Sequence, residues 1–240
     1  MPSRRLSIVG TGISVGQISL ESRTLIQASD FVPFIVSDEA TSSYIKDLNP
    51  KNFDLATLYR KGVPRDRIYE EMADRIVAYC DEYNDVCAIF YGHPGVFVTP
   101  SHRAIKKARA KGIQARMYPG ISAEDCLFAD LGIDPGLGCQ TYEATWFWKN
   151  KVKPDRRVLL ILWQVPVAGQ MEWETDKPHP DALAYIRDAI LESHGQDTEA
   201  IVYTASRIPL GKPEIQTIKV TDLATAKMTP ISTMCVLARP

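Results

Sequence analysis

At 240 residues, 45% hydrophobic and 24% charged, the chain can bury a full core, as one large domain or two smaller ones. A formal net charge of -1 supplies no clustered positive field of the kind that nucleic acid or an anionic membrane requires. The five cysteines, at 80, 87, 126, 139 and 235, show no C-x-x-C spacing, and no apolar run approaches membrane-spanning length.

The N-terminus, Met-Pro-Ser-Arg-Arg, runs into a strand with no apolar signal region, and Cys87, Cys126 and Cys235 lie in apolar runs as buried reduced thiols do. Both observations set the expected location as the cytoplasm. Leu6–Gly10 reads as a short strand, followed by Gly10-Thr-Gly12-Ile-Ser-Val-Gly16 and a helical pattern from Gln17 to Ala28. These glycines miss the dinucleotide spacing G-x-G-x-x-G, because position 15 is Val15, and they suit a plain turn as well as a ligand loop. Phe31–Val36 reads as a second strand, its Pro33 pointing to an edge or a bulge, and Glu39–Leu48 as a helix.

Pro64 opens the clearest helix, with Ile68, Met72, Ile76 and Val77 as its apolar stripe. Val86–Phe90 is the next strand, and the loop Tyr-Gly-His-Pro-Gly-Val-Phe-Val-Thr-Pro-Ser-His-Arg-Ala, 91–104, leads into a helix over Ser101–Lys111. The basic run from Arg103 to Lys111 reads as a solvated helix face. Gln114–Met117 is a strand and Ala123–Asp130 a short helix. This alternation implies a largely parallel sheet with helices packed on it. Beyond it come the apolar strand Arg157–Trp163, a long connection from Val165 to His179, a helix over Pro180–Ser193, and strands at Ala200–Thr204, Ile215–Val220 and Ser232–Ala238. The reading is α/β, two lobes with a boundary near Leu137–Asn150, divided as 1–137 and 138–240.

The loop after Phe90 has no G-K-[ST], which excludes a P-loop. His93 and His102 stand nine apart with no third ligand at metal spacing, so no metal is expected. Arg65 and Tyr69 are four apart on one helix face, with Tyr59 six residues before Arg65. A guanidinium beside a phenol favours the phenolate, which makes a tyrosine a usable base. The same spacing also suits an Arg and a Tyr that merely stack on a surface helix.

Three stretches together, residues 91–104, Met117–Pro135 and Cys139–Thr145, resemble the borosin branch of the tetrapyrrole-methylase superfamily. Further matches are "VGTG…GQIS" at the start, Asp54–Met72, "LLILWQV" ending at Val165, and Met228–Thr233, so the resemblance spans essentially the whole chain. Gly92-His93-Pro94 is similar to the borosin form of a loop that elsewhere in the superfamily reads G-D-P. The resemblance implies two α/β lobes with S-adenosyl-L-methionine (SAM) in the cleft between them, and a homodimer, or a heterotetramer with two precursors. It implies methylation of peptide backbone amide nitrogens, with S-adenosyl-L-homocysteine as the by-product.

By that resemblance Tyr59, Arg65, Tyr69 and Tyr91 take the catalytic positions. Tyr91, His93, Val96, Thr99, Ser122, Ala123, Gln164, Ser232 and Thr233 take the SAM-lining ones. Tyr69 is expected to accept the amide proton, while Tyr59 and Tyr91 hold the amide oxygen. Fused relatives continue into their own core peptide, whereas this sequence ends at Pro240 after its last strand. The expectation is therefore the split type, acting on a separate precursor. The alternatives are a methyltransferase for a tetrapyrrole-like small molecule and an inactive SAM-binding partner.

Overall fold

The structure is a computed structural model that describes residues 4–170 and 178–239. Its contacts divide the chain into two units, Met1–Cys126 with Ser206–Gly211, and Leu127–Ala205 with Lys212–Pro240. The chain passes from one to the other inside α5 (Ala123–Leu131), where the sequence suggested a boundary after Leu137.

The first unit holds β1 (Arg5–Gly10), α1 (Leu20–Ala28), β2 (Val32–Ile35), α2 (Glu39–Leu48), β3 (Asn52–Asp54), α3 (Arg65–Glu82), β4 (Asp85–Phe90), α4 (Thr99–Ala110) and β5 (Gln114–Met117). Its sheet has the order β3-β2-β4-β1-β5, and its neighbouring strands pair in parallel, as the strand–helix alternation requires. Parallel crossovers are right-handed, so connections that step one way along the sheet put their helices on one face and the reverse steps on the other. Ile26 of α1 and Ile45 of α2 accordingly pack with Val9, Phe34, Cys87 and Ile89. The intervening residues Leu6, Ile8, Val86, Ala88 and Phe90 point to the opposite face and are equally buried. On α3 the expected stripe of Ile68, Met72, Ile76 and Val77 is buried, and α4 packs beside this helix.

The basic run of α4 is paired with that helix. Arg103 bonds Asp66 and, at 3.0 Å, Glu70; Lys107 bonds Glu70 and Asp74; Lys111 reaches Asp81 at 2.8 Å. The solvated-face reading holds, with the acids of α3 as partners. Two expectations need correction. Pro33 lies on neither an edge nor a bulge, because β2 sits between β3 and β4. Pairing with β4 is seen at Phe31↔Val86 and resumes in the same register at Phe34↔Ile89, and the gap falls where proline has no N–H to give. Cys126 is half-buried rather than buried, whereas Cys80 joins Cys87 and Cys235 inside.

Asn49 bolts α1 to the end of α2. Its buried amide donates to the carbonyls of Ile26 (2.9 Å) and Ser29 (2.8 Å) and accepts from Lys51 N–H (3.0 Å). Asn49→Ala leaves these groups without a partner and is expected to cost about 2–3 kcal/mol, read as a lower midpoint in urea unfolding.

In the second unit, β6 (Cys139–Glu143), α6 (Ala144–Lys149), β7 (Leu159–Trp163), α7 (Pro180–His194), β8 (Glu199–Thr204), β9 (Glu214–Lys219) and β10 (Thr233–Val236) build a sheet ordered β6-β7-β10-β8-β9. Only β6 and β7 pair in parallel. Its core joins Leu160, Leu162, Val202, Met234 and Val236 to Ile186 and Ile190 of α7. The stretch read as a lobe boundary, Leu137–Asn150, contains β6 and α6. Neither advertises itself: β6 is half polar, and the aromatic-rich α6 starts on Glu143, which accepts from Thr145 N–H (2.9 Å) and Trp146 N–H (2.7 Å). Of the expected connection from Val165 to His179, Val165–Val167 forms a 3-10 turn, and 171–177 lie outside the described residues. Among the described residues no helix is long and apolar enough to cross a membrane.

Candidate active site

The connection leaving β1 steps toward β2, and the one leaving β4 steps the opposite way to β5, so their helices part to opposite faces. That divergence opens a crevice at the carboxyl ends of β1 and β4, where open α/β sheets bind ligands. Glycines close its floor. Gly12 N–H donates to Gly92 O (3.3 Å) and Gly92 N–H to Gly12 O (2.9 Å), both residues at φ 70°. A Cβ on Gly10 would stand 2.1 Å from Gly92 O, and one on Gly120 would stand 3.1 Å from the same atom. The loops after β1, β4 and β5 thus meet backbone to backbone. Gln17 braces the first of them, its Oε1 accepting from Ile13 N–H (2.7 Å) and Ser14 N–H (3.3 Å).

The loop after β4 is shaped by its own side chains. His93 Nδ1 accepts from Gly95 N–H at 2.9 Å, which in the neutral ring assigns the proton to Nε2. His102 Nε2 donates to Gly95 O at 2.9 Å, and Ser101 Oγ donates to the carbonyls of Pro94 and, at 2.7 Å, Val98. His102 is therefore a brace of the loop. Val96 is half-buried, Thr99 exposed at the first turn of α4, and Phe97 between them takes φ 56°, in the left-handed region. Ser122 is buried and caps α5: its N–H and Oγ both donate to Asp125 Oδ2 (2.7 Å each), and Ala123 begins the helix.

Tyr59 follows a 3-10 turn, Leu55–Leu58, started by Asp54, and α3 then begins at Arg65. This brings Tyr59, Arg65 and Tyr69 together. The phenol of Tyr59 is pushed well above its ordinary range, first by burial and then by Tyr69, to which it is hydrogen-bonded, while the Arg65 charge pulls it down. Tyr59 thus keeps its proton at neutral pH. Tyr91 follows β4, its N–H on Ile35 O at 3.0 Å, and its phenol is also raised by burial, against the opposing pull of Arg207 and the Ser37 hydroxyl.

Gln164, Ser232 and Thr233 gather at one end of the second sheet. The register pairs Trp163 with Thr233, which sets Gln164 opposite Ser232. Gln164 takes φ 60°, a conformation that costs a residue with a Cβ about 1 kcal/mol. Ser232 Oγ is shared with Thr204 Oγ1 (2.9 Å) and accepts from Thr229 N–H (2.9 Å). A cavity of about 400 Å³ opens beside it, lined in part by Thr204, Ile215, Met228 and Thr229.

Sequence reasoning missed Gln17, Ser37 and Arg207. Gln17 was within reach, since Ser14 and Gln17 have capping-box spacing. Arg207 was not, because it meets Ser37 across 170 residues of chain.

Comparison with known proteins adds three findings. The family described as Tetrapyrrole (Corrin/Porphyrin) Methylases matches residues 5–227. A methyltransferase/ribosomally synthesized cyclic peptide gymnopeptides precursor from Gymnopus fusipes is 40% identical over 220 residues, 91% of this chain and 52% of that protein. The corresponding omphalotin A precursor from Omphalotus olearius is 39% identical over 210 residues, 87% and 50% of the two chains. The chain spans about half the length of the curated relatives it matches. Among solved structures, uroporphyrin-III C-methyl transferase from Thermus thermophilus, complexed with S-adenosyl homocysteine, aligns over 97% of this chain and 92% of its own, with a TM-score of 0.64 and 14% identity. Diphthine synthase aligns over 98% and 90%, with a TM-score of 0.63 and 17% identity. At such identities the likeness shows the fold.

Proposed function

Because the chain belongs to the tetrapyrrole (corrin/porphyrin) methylase family, we propose that it is a SAM-dependent methyltransferase acting on backbone amide nitrogens of a ribosomally made precursor peptide supplied as a separate polypeptide. The observation that carries this reading is the cluster of Tyr59, Arg65 and Tyr69 at the start of α3, in a chain whose relatives are methyltransferases joined to cyclic-peptide precursors. The glycine floor fits the cofactor: it presents backbone in place of side chains, since a Cβ at Gly10 would collide with Gly92 O. We assign His93, Val96, Thr99, Ser122 and Ala123 of the first unit to SAM binding, and count Gln164, Ser232 and Thr233 of the second unit as further candidates. SAM supplies a methyl carbon on a positively charged sulfur, which is left as S-adenosylhomocysteine when the carbon bonds to nitrogen.

The protein's own task is the amide proton. An amide nitrogen is a poor nucleophile while its lone pair is delocalised, and no side chain deprotonates it fully in water. Tyr69 accepts the N–H proton as the nitrogen is alkylated. Tyr59 and Tyr91, which burial keeps protonated, donate to the carbonyl oxygen as negative charge gathers there. Arg65 offsets the charge of the Tyr69 oxygen. The working unit is a homodimer.

The test is intact-mass analysis of the protein incubated with SAM and candidate precursor peptides. Successive methyl increments on a peptide, located at backbone amides by fragmentation, are expected. The family and fold also accommodate a tetrapyrrole-like acceptor. Methylation of such a small molecule, with no peptide modified, would replace the peptide reading.

A further inference from the structure

We propose that Arg207, on the connection between β8 and β9, is a positioning residue for Tyr91: it holds that phenol as a strong hydrogen-bond donor toward the amide oxygen of the substrate. The inference rests on the peptide reading above and deepens it. The strands on either side of this connection belong to the second unit, yet Ser206–Gly211 clusters with the first. The segment is braced within itself. Ile208 N–H donates to Ser206 Oγ (3.2 Å), Ser206 Oγ to Ile208 O (3.0 Å), and Gly211 N–H to the same carbonyl (2.9 Å). It rests on the loop after β1, where a Cβ at Gly16 would lie 3.8 Å from Pro209.

From that platform Arg207 Nη1 donates to Ser37 O at 3.3 Å. Ser37 lies just past β2 and next to Asp38, which caps α2 through Thr41 N–H at 2.8 Å. Tyr91 lies just past the neighbouring strand β4, tied to Ile35 O. The two strand ends therefore present Ser37, Asp38 and Tyr91 side by side, with the Arg207 guanidinium bonded at Ser37. Burial, Cys126 and Asp38 favour the neutral phenol, while Arg207 and the Ser37 hydroxyl oppose them. A phenol buried without that opposition would be a weak acid and a poor donor. With a cation beside it, it gives up more of its proton to an oxygen that gains charge during the reaction. Arg207 acts through Tyr91 and needs no contact with the substrate.

Arg207 is exposed, so its replacement leaves the core intact. The test is a pH titration of the full chain carrying 13Cζ-labelled tyrosine, with S-adenosylhomocysteine present and the Tyr91 signal identified by its loss in Tyr91→Phe. In Arg207→Gln the Tyr91 midpoint is expected to rise, and Arg207→Lys is expected to restore most of it. In the methylation assay Arg207→Gln should lower kcat roughly tenfold with KM for SAM unchanged. A Tyr91 titration identical in Arg207→Gln and wild type overturns the proposal, as does an unchanged kcat. The titration needs no peptide, so it decides the role of Arg207 even if no peptide is ever methylated.

Discussion

Tyr69→Phe is expected to lower methyl transfer by about 10²–10⁴-fold, the usual contribution of a positioned general base, while S-adenosylhomocysteine still binds. The substitution removes one oxygen from a half-buried side chain on α3 and leaves the stripe of Ile68, Met72 and Ile76 untouched. The effect is therefore chemical and not structural. Tyr59 cannot substitute as the acceptor, because burial and its neighbour keep its proton in place. Isothermal titration with S-adenosylhomocysteine and intact-mass assay of the same preparation separate binding from turnover. Near wild-type turnover would remove Tyr69 from the mechanism. Arg65→Lys should fail similarly if a planar guanidinium, and not charge alone, is needed beside the phenols.

Gly10→Ala should be the most damaging single change in the ligand crevice. The new methyl would lie 2.1 Å from Gly92 O and 2.9 Å from Pro94 Cδ, and neither atom is the end of a flexible side chain. Either β1 or the loop after β4 must move, at a cost of about 1–3 kcal/mol or more. A loop displaced by even an ångström carries His93 and Tyr91 with it. The expected result is a lower melting temperature together with loss of S-adenosylhomocysteine binding. Gly112→Ala is the control: φ there is +75°, yet nothing lies within 4 Å of the new Cβ. It should cost about 1 kcal/mol of backbone strain and leave binding intact. Equal loss of binding in both variants would mean that the glycine floor has no special part in the site.

What could be read in advance was whatever local chemistry decides. Pro64 and the Ile68, Met72, Ile76, Val77 stripe announce α3, and the four-residue spacing of Arg65 and Tyr69 announces a shared face. Strand–helix alternation gave the parallel sheet. What escaped depends on partners distant in sequence. The glycines at 10, 12, 92 and 120 look like separate turns until the sheet order sets the three loops side by side. The three residues of β3 are too few to show a period, and β6 and α6 are made mainly by what they pack on. Pro33 misled because its missing donor was judged against an unbroken ladder, whereas the ladder omits one rung for it.

The ion pairs between α3 and α4 repeat along both helices in steps of four, through Asp66, Glu70 and Asp74 on one and Arg103 and Lys107 on the other. A pattern with that period matches itself again after sliding by one helical turn. The charges therefore dictate that the helices lie alongside and point the same way, but they tolerate the wrong axial setting. The pair of Lys111 with Asp81, which stands off that four-residue series, is what distinguishes one setting from the next. The spacing of Tyr69 at the head of one helix and the His93 loop at the head of the other is thus set in part from their far ends, by one ion pair at the tails.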